Sequence, residues 1–227
     1  MRRAKRALDL VGSGVGLVVL APLFVVIAAA VKLDGGPVFF RQERVGRHGR
    51  PFRMWKFRTM VPDAERVGPQ ITARGDRRIT RVGRWLRTSK LDELPQLLNV
   101  AAGEMSLVGP RPEVARYVRR YTAEQRRVLD LVPGITDPAS IQYRDEERLL
   151  AQAADPERLY IDRLLPDKIR LNLEYAARAS VARDVMLIAQ TLARIVLPPA
   201  DAPAATPTSA DTRSSTRRTA SPARPDR

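Results

Sequence analysis

Asp92 and Glu93 stand side by side in the run Arg87-Thr88-Ser89-Lys90-Leu91-Asp92-Glu93-Leu94-Pro95-Gln96. Pro95 is of a type favoured in the first turn of a helix. The positive end of a helix dipole keeps a nearby carboxylate ionised and attracts anions. An ionised Asp is a competent nucleophile toward phosphorus. A purely local reading competes, because Ser89 followed three residues later by Asp92 is close to a capping box. Phosphoryl transfer also needs positive charge around the phosphate and usually a divalent cation, for which carboxylates provide a seat. The chain has cations nearby in sequence. Lys56 and Arg58 close a short apolar-basic segment, Arg87 precedes the acidic pair, and Arg111 is set between Pro110 and Pro112. The flanking prolines restrict the backbone, so that guanidinium fork has less entropy to lose on binding. Any one of these arginines alone reads more readily as a surface residue.

Composition removes other chemistries. Among 227 residues there is no Cys and one His, which excludes thiol catalysis, thiolate metal sites and disulfides, and argues against a His-rich metal centre. The single His48 lies in the Gly46 to Gly49 turn and reads as structural. The net charge is +15, and residues 41–90 hold 15 basic residues against 4 acidic, beside an acidic middle at 91–160. Such a concentration favours an anionic partner: phosphate, lipid headgroup or nucleic acid. A membrane-tethered module that binds nucleic acid or acidic lipid through this segment is the alternative from another functional class. It leaves the acidic pair and the Pro-Arg-Pro run without a role, and the basic segment lacks an aromatic-interleaved platform for single strands.

The elements that would position these residues begin with 22 uncharged residues, Leu10 to Val31. At about 1.5 Å per residue this is enough to cross a hydrocarbon core. A cleaved signal peptide, a spanning anchor and a re-entrant hairpin compete for it. The run exceeds the roughly 7 to 15 apolar residues of a signal peptide. Both flanks are basic, Arg2, Arg3, Lys5 and Arg6 before it and Lys32 after it, and basic flanks prefer the cytoplasmic side. A helix that bends back keeps both there, and Pro22, near the centre, supplies the break. After the turn at Asp34 to Pro37, Val38 to Arg44 and Phe52 to Arg58 predict a β-hairpin. From Thr80 the pattern is helical, with Val82, Trp85 and Leu86 on one face among arginines, suited either to a membrane interface or to core packing. Further helices are predicted at Leu94 to Val100, Val114 to Tyr121, Ala123 to Leu131 and Pro166 through Ile195. Pro198 to Arg227 has a disorder-prone composition.

The ordered set of motifs resembles the bacterial sugar transferase family, the monotopic polyprenol-phosphate phosphoglycosyl transferases. The matching runs are Lys5-Arg6 to Asp9, the apolar run with Pro22, Gly36-Pro37-Val38-Phe39-Phe40-Arg41-Gln42-Glu43-Arg44-Val45-Gly46 and Lys56-Phe57-Arg58-Thr59-Met60. Further on they are Leu91-Asp92-Glu93-Leu94-Pro95-Gln96, Ser106 to Glu113 and Pro133-Gly134-Ile135-Thr136. The resemblance implies transfer of a phosphosugar from a UDP-sugar to undecaprenyl phosphate, with Mg²⁺ and release of UMP, through a covalent enzyme-phosphosugar intermediate. It matches Asp92 to the nucleophile and Glu93 to its partner carboxylate near the metal, so that both are metal-site candidates. Lys56, Arg58, Arg87 and Arg111 match basic residues that contact phosphate, and Pro22 the break of a re-entrant membrane helix.

Two departures stand out. After Ile135-Thr136 many relatives carry Gly-Trp and a glutamine-valine-asparagine-glycine-arginine run, where this chain has Asp137-Pro138-Ala139-Ser140-Ile141-Gln142-Tyr143-Arg144. Asn172 stands where some relatives place an Asp. The expectation is an α+β protein, mainly helical with a small β-hairpin. Residues 1–33 would form the re-entrant membrane helix, 34–197 a single catalytic domain on the cytoplasmic face of the inner membrane, and 198–227 a disordered tail. An interfacial amphipathic helix would help to anchor it. Expected partners are the UDP-sugar, undecaprenyl phosphate, membrane lipid and downstream glycosyltransferases, and not nucleic acid.

Overall fold

The computed structural model describes residues 2–64 and 76–196, so the tail predicted at 198–227 lies outside the described residues. The architecture is mainly helical with a small antiparallel hairpin, as the sequence predicts. It opens with two helices, α1 (Arg2–Val19) and α2 (Ala21–Leu33), bent by 62° at Leu20. Pro22 is in the first turn of α2, where its missing N–H costs no intrahelical bond. No single described helix is long and apolar enough to cross a membrane.

Both ends of this bent pair are fastened to the rest of the protein. From α1, Lys5 Nζ donates to Val108 O at 2.9 Å and to Asp184 Oδ2 at 2.6 Å. Arg6 donates to Val100 O and Ala101 O, in the last turn of a helix described below. Asp9, buried, accepts from Ser106 Oγ and from Leu107 N, each at 2.9 Å. From α2, Ile27 and Val31 pack against Phe57 and Leu86, all four almost wholly buried. Burying side chains of this size contributes about 1.5–3 kcal/mol each.

Strands β1 (Phe39–Val45) and β2 (Pro51–Phe57) pair antiparallel, with Phe39 opposite Phe57 and Val45 opposite Pro51. The connection is a 3-10 turn, Arg47–Gly49, in which His48 takes a left-handed φ of 56° and faces Asp130. The strands end one residue from their predicted limits, and β2 stops at Phe57, before Arg58. Helix α3 (Arg81–Ser89) begins at Thr80, whose Oγ1 accepts from Gly83 N at 2.9 Å. Val82, Trp85 and Leu86 share one face of it, as predicted, and that face is only partly covered: Leu86 enters the core with Val82 at its edge, while Trp85 is 55% exposed. A 3-10 turn, Leu91–Glu93, then leads through Pro95 into α4 (Gln96–Ala102).

A second sheet was not predicted. Strands β3 (Ser106–Val108) and β4 (Gly134–Thr136) pair in parallel. Their crossing has no room for side chains, since a Cβ on Gly134 would lie 2.1 Å from Gly109 N. Between them α5 (Ala115–Val118) and a 3-10 turn, Gln125–Asp130, are shorter and tighter than the helices predicted at 114–121 and 123–131.

Past β4 come α6 (Pro138–Gln142), α7 (Glu146–Ala151), α8 (Pro156–Leu159) and a π turn at Tyr160–Leu164. The single helix predicted from Pro166 to Ile195 is two, α9 (Leu165–Ala177) and α10 (Val181–Val196), parted where Ser180 Oγ accepts from Arg183 N. The largest apolar cluster joins α5, α7, the π turn and α9 through Tyr117, Leu150, Tyr160, Leu164 and Ile169.

Candidate active site

Helix α3 ends at Lys90 in a left-handed conformation, φ 60°, and this reversal throws the next three residues into the 3-10 turn that holds Asp92 and Glu93. The capping box read from Ser89 does not form. Ser89 Oγ instead donates back to Trp85 O and Leu86 O. The carboxylates therefore project between two helices rather than from a helix start, and α4 begins only at Gln96.

The two acids have opposite environments. Glu93 is clamped: Arg111 binds it with both terminal nitrogens, Nη1 to Oε2 at 2.9 Å and Nη2 to Oε1, and Lys56 Nζ donates to Oε1 at 2.9 Å. Burial pushes its carboxyl up, but Arg111 and Lys56 overcome this and hold it well below the usual carboxylate range. Asp92 is 5% exposed, accepts no hydrogen bond from the described residues, and its Oδ1 is fully enclosed. Burial raises its pKa, with the charge of Lys56 opposing. Burial likewise lowers the pKa of Lys56, against the attraction of Glu93. The result is an ion-paired carboxylate beside an unpaired one.

Asp92 borders a cavity of about 630 Å³ of mixed charged and apolar lining, to which Lys56, Arg87, Arg111, Lys168 and Asn172 also contribute. Arg87 pairs through Nη2 with Glu147, yet its Nε is buried without a partner. Asn172 donates to Lys168 O at 3.0 Å, and its Oδ1 is buried and unpartnered. Three orphaned polar atoms in one cavity, Asp92 Oδ1, Arg87 Nε and Asn172 Oδ1, are what a site awaiting a polar ligand leaves open. Lys168 is paired with Glu146 at 2.6 Å. Arg111 is placed by its backbone as well: Asp137, the first residue of the departure at 137–144, accepts Arg111 N at 2.8 Å and Ser140 N through its other oxygen.

Of the residues singled out from sequence, Lys56, Asp92, Glu93 and Arg111 form one cluster, and Arg87 reaches the same cavity. Arg58 borders the cavity but does not offer its guanidinium to it. Its nitrogens donate to the carbonyls of Val31, Gly35, Pro37 and Met60. Arg58 thus ties off the C-terminal end of α2, where free carbonyls attract cations. The expectation that it contacts phosphate is corrected to this fastening role. Pro22 lies two residues past the bend at Leu20. Sequence reading missed Lys168, Glu146 and Glu147, which nothing in their spacing distinguishes from a charged helix surface.

Among the described residues no group of three Asp, Glu, His or Cys is arranged to hold a metal ion. Glu93, expected as a metal ligand, has both oxygens committed to Arg111 and Lys56. Asp92 is the carboxylate left to hold Mg²⁺, which commonly takes one or two carboxylates and fills its shell with water and substrate phosphate, and its enclosed Oδ1 would have to be uncovered for this.

The profile of the bacterial sugar transferase family matches residues 1–198, and the chain belongs to this family. It is 34% identical over 205 residues to galactosyl transferase CpsE of Streptococcus agalactiae, covering 86% of this chain and 42% of that protein. To the undecaprenyl-phosphate glucose phosphotransferase of Komagataeibacter xylinus it is 40% identical, over 84% of this chain and 35% of that one. To the UDP-glucose:undecaprenyl-phosphate glucose-1-phosphate transferase of Caulobacter vibrioides it is 38% identical, over 83% of this chain and 68% of that one. The chain spans less than half the length of the first two.

Proposed function

We propose that the protein transfers a sugar-1-phosphate from a UDP-sugar to undecaprenyl phosphate, releasing UMP, and so makes the first lipid-linked intermediate of a surface glycan such as an exopolysaccharide. The observation that carries this is the unpaired, buried Asp92 set in a cavity of cations beside the ion-paired Glu93. Asp92 attacks the phosphorus that bears the sugar. The bond from that phosphorus to the bridging oxygen breaks, and the oxygen leaves with UMP. An oxygen of undecaprenyl phosphate then attacks the same phosphorus and frees the Asp92 carboxylate. Arg111 and Lys56 offset the charge that develops, and because Glu93 already fixes them they need no reorganisation. Arg87 Nε and Asn172 Oδ1 are buried without a partner beside this cavity, and a small side-chain shift would turn them to the donor. A Mg²⁺ ion held by Asp92 and the diphosphate would supply further charge neutralisation there.

The bent helix pair reads best as re-entrant. A helix that crossed would carry one of its ends away from the catalytic domain, yet Lys5, Arg6 and Asp9 at one end and Ile27 and Val31 at the other are all fastened to it. The outward faces are apolar, with Val15, Val18, Val19, Val25 and Val26 each more than half exposed. With both basic flanks of the pair on that side, the domain would lie on the cytoplasmic face of the inner membrane, where UDP-sugars are and where downstream glycosyltransferases would extend the product.

The test is nucleotide release from the purified protein given Mg²⁺, undecaprenyl phosphate and a panel of UDP-sugars. UMP is expected with the native chain and not with Asp92→Asn. Release of UDP, or an Asp92→Asn variant with native turnover, would overturn the reading.

A further inference from the structure

A second cavity of about 630 Å³ adjoins the first, with Arg111, Glu146, Glu147 and Lys168 lining both. Its character is different. Leu8, Gly12 and Gly16 of α1 form one wall and Val185, Ile188 and Leu192 of α10 another, giving an apolar trough. The glycines set how deep α1 sits, since a Cβ on Gly12 would lie 2.6 Å from Leu107 Cδ1 and one on Gly16 would lie 3.1 Å from Leu97 Cδ1. The outer faces of the two walls are also apolar and exposed, at Val11 and Val15 on α1 and Met186 on α10. The trough thus continues a surface suited to hydrocarbon.

At one place the trough is charged and unsatisfied. Arg111 is held by Glu93, Lys168 by Glu146, Arg144 by the carbonyl of Arg194, and Arg194 by that of Ile141. Lys90 lines the same trough, is exposed, and its ammonium has no ion pair or hydrogen bond among the described residues. It is two residues from Asp92, and its charge acts on the Asp92 carboxyl. An apolar trough ending at an uncommitted ammonium beside the nucleophile is complementary to a long hydrocarbon chain with a terminal phosphate.

Resting on the reaction proposed above, we propose that this trough holds the isoprenoid chain of the acceptor and that Lys90 receives its terminal phosphate, so that donor and acceptor enter by separate cavities. A bulk phospholipid fits the apolar walls equally, but its phosphodiester has no use for a cation placed beside Asp92. The phosphomonoester of the acceptor carries the oxygen that must reach the phosphorus on Asp92.

The test is photolabelling of the full chain, in vesicles of phosphatidylglycerol and phosphatidylethanolamine, by a polyprenyl phosphate with a diazirine in its chain. Label is expected in peptides spanning 8–20 and 181–194, displaced by undecaprenyl phosphate and not by the uncharged alcohol. Lys90→Gln should weaken labelling about tenfold, as loss of a charge-assisted contact does, and Lys90→Arg should restore it. Ile188→Trp should raise KM for undecaprenyl phosphate while leaving KM for a short-chain acceptor and for the UDP-sugar unchanged. Equal competition by the alcohol, displacement by added phosphatidylglycerol, cross-linked dimers, or label outside both walls would overturn the assignment. Labelling that follows the expected pattern in a protein that releases no UMP from any UDP-sugar would uphold the trough and refute the donor chemistry instead.

Discussion

Asp92 must be charged to attack phosphorus, yet its surroundings favour the neutral acid, so the residue works against the stability of its own fold. Asp92→Asn should therefore abolish turnover and raise the melting temperature by several degrees, at about 2–4 °C per kcal/mol for a chain of this size. The sign follows from linkage. A raised carboxyl pKa destabilises the fold fully at pH values above it, less and less as pH falls, and not at all below the unfolded value of 3.8. The advantage of Asp92→Asn over the native chain should then shrink as pH falls through the Asp92 pKa, which thermal melts across the acid range would reveal. The same ionisation sets the acid limb of catalysis, so single-turnover UMP release should rise with pH through a midpoint above 3.8. Glu93 behaves oppositely. Its depressed pKa contributes stability above about pH 4.5, lost as pH falls through the folded value. Glu93→Gln, which leaves Lys56 and Arg111 facing a neutral amide, should cost about 3–5 kcal/mol in denaturant unfolding.

At the scale of elements, what the sequence revealed was whatever is periodic or chemically loud. The hairpin showed because β1 and β2 are seven residues each between glycines and a proline. The pair β3 and β4 did not, because three-residue strands carry no alternation to detect and their partner lies 28 positions away. Gly109 and Gly134 look like loop glycines until the two backbones are seen to touch. Gly134→Ala should accordingly unfold the region rather than merely stiffen it, a loss of several kcal/mol measurable by denaturant titration. The site shows the same division. Lys56, Asp92 and Arg111 were legible from residue type and neighbours, whereas Arg58 was misread. It shares Lys56's face by alternation, but the strand ends at Phe57 and the side chain turns instead to the end of α2. Arg58→Met should destabilise by about 2–4 kcal/mol, since four carbonyls, that of Val31 buried, lose a charged donor. The αL position of Lys90 was invisible, because a non-glycine residue there has no sequence signature.

For the whole molecule, the fastening of both ends of the bent helix pair predicts a single topology. The chain has no cysteine, so one introduced at Arg3 or Lys32 is a unique reporter. Both should be shielded from an impermeant maleimide in intact cells and labelled in inverted vesicles. Labelling of either one from outside would refute the re-entrant arrangement. The same fastening sets an order of events during synthesis. Lys5 finds Asp184 across 179 positions of chain. At roughly 5–20 residues per second, the first helix to leave the ribosome waits on the order of 10–40 s before its last partner exists. Through that interval Lys5 lacks its carboxylate and the trough between α1 and α10 has only one wall. A chain that stalls before α10 is made thus presents an apolar, unpaired N-terminus, the kind of surface by which quality-control proteases distinguish unfinished chains from finished ones.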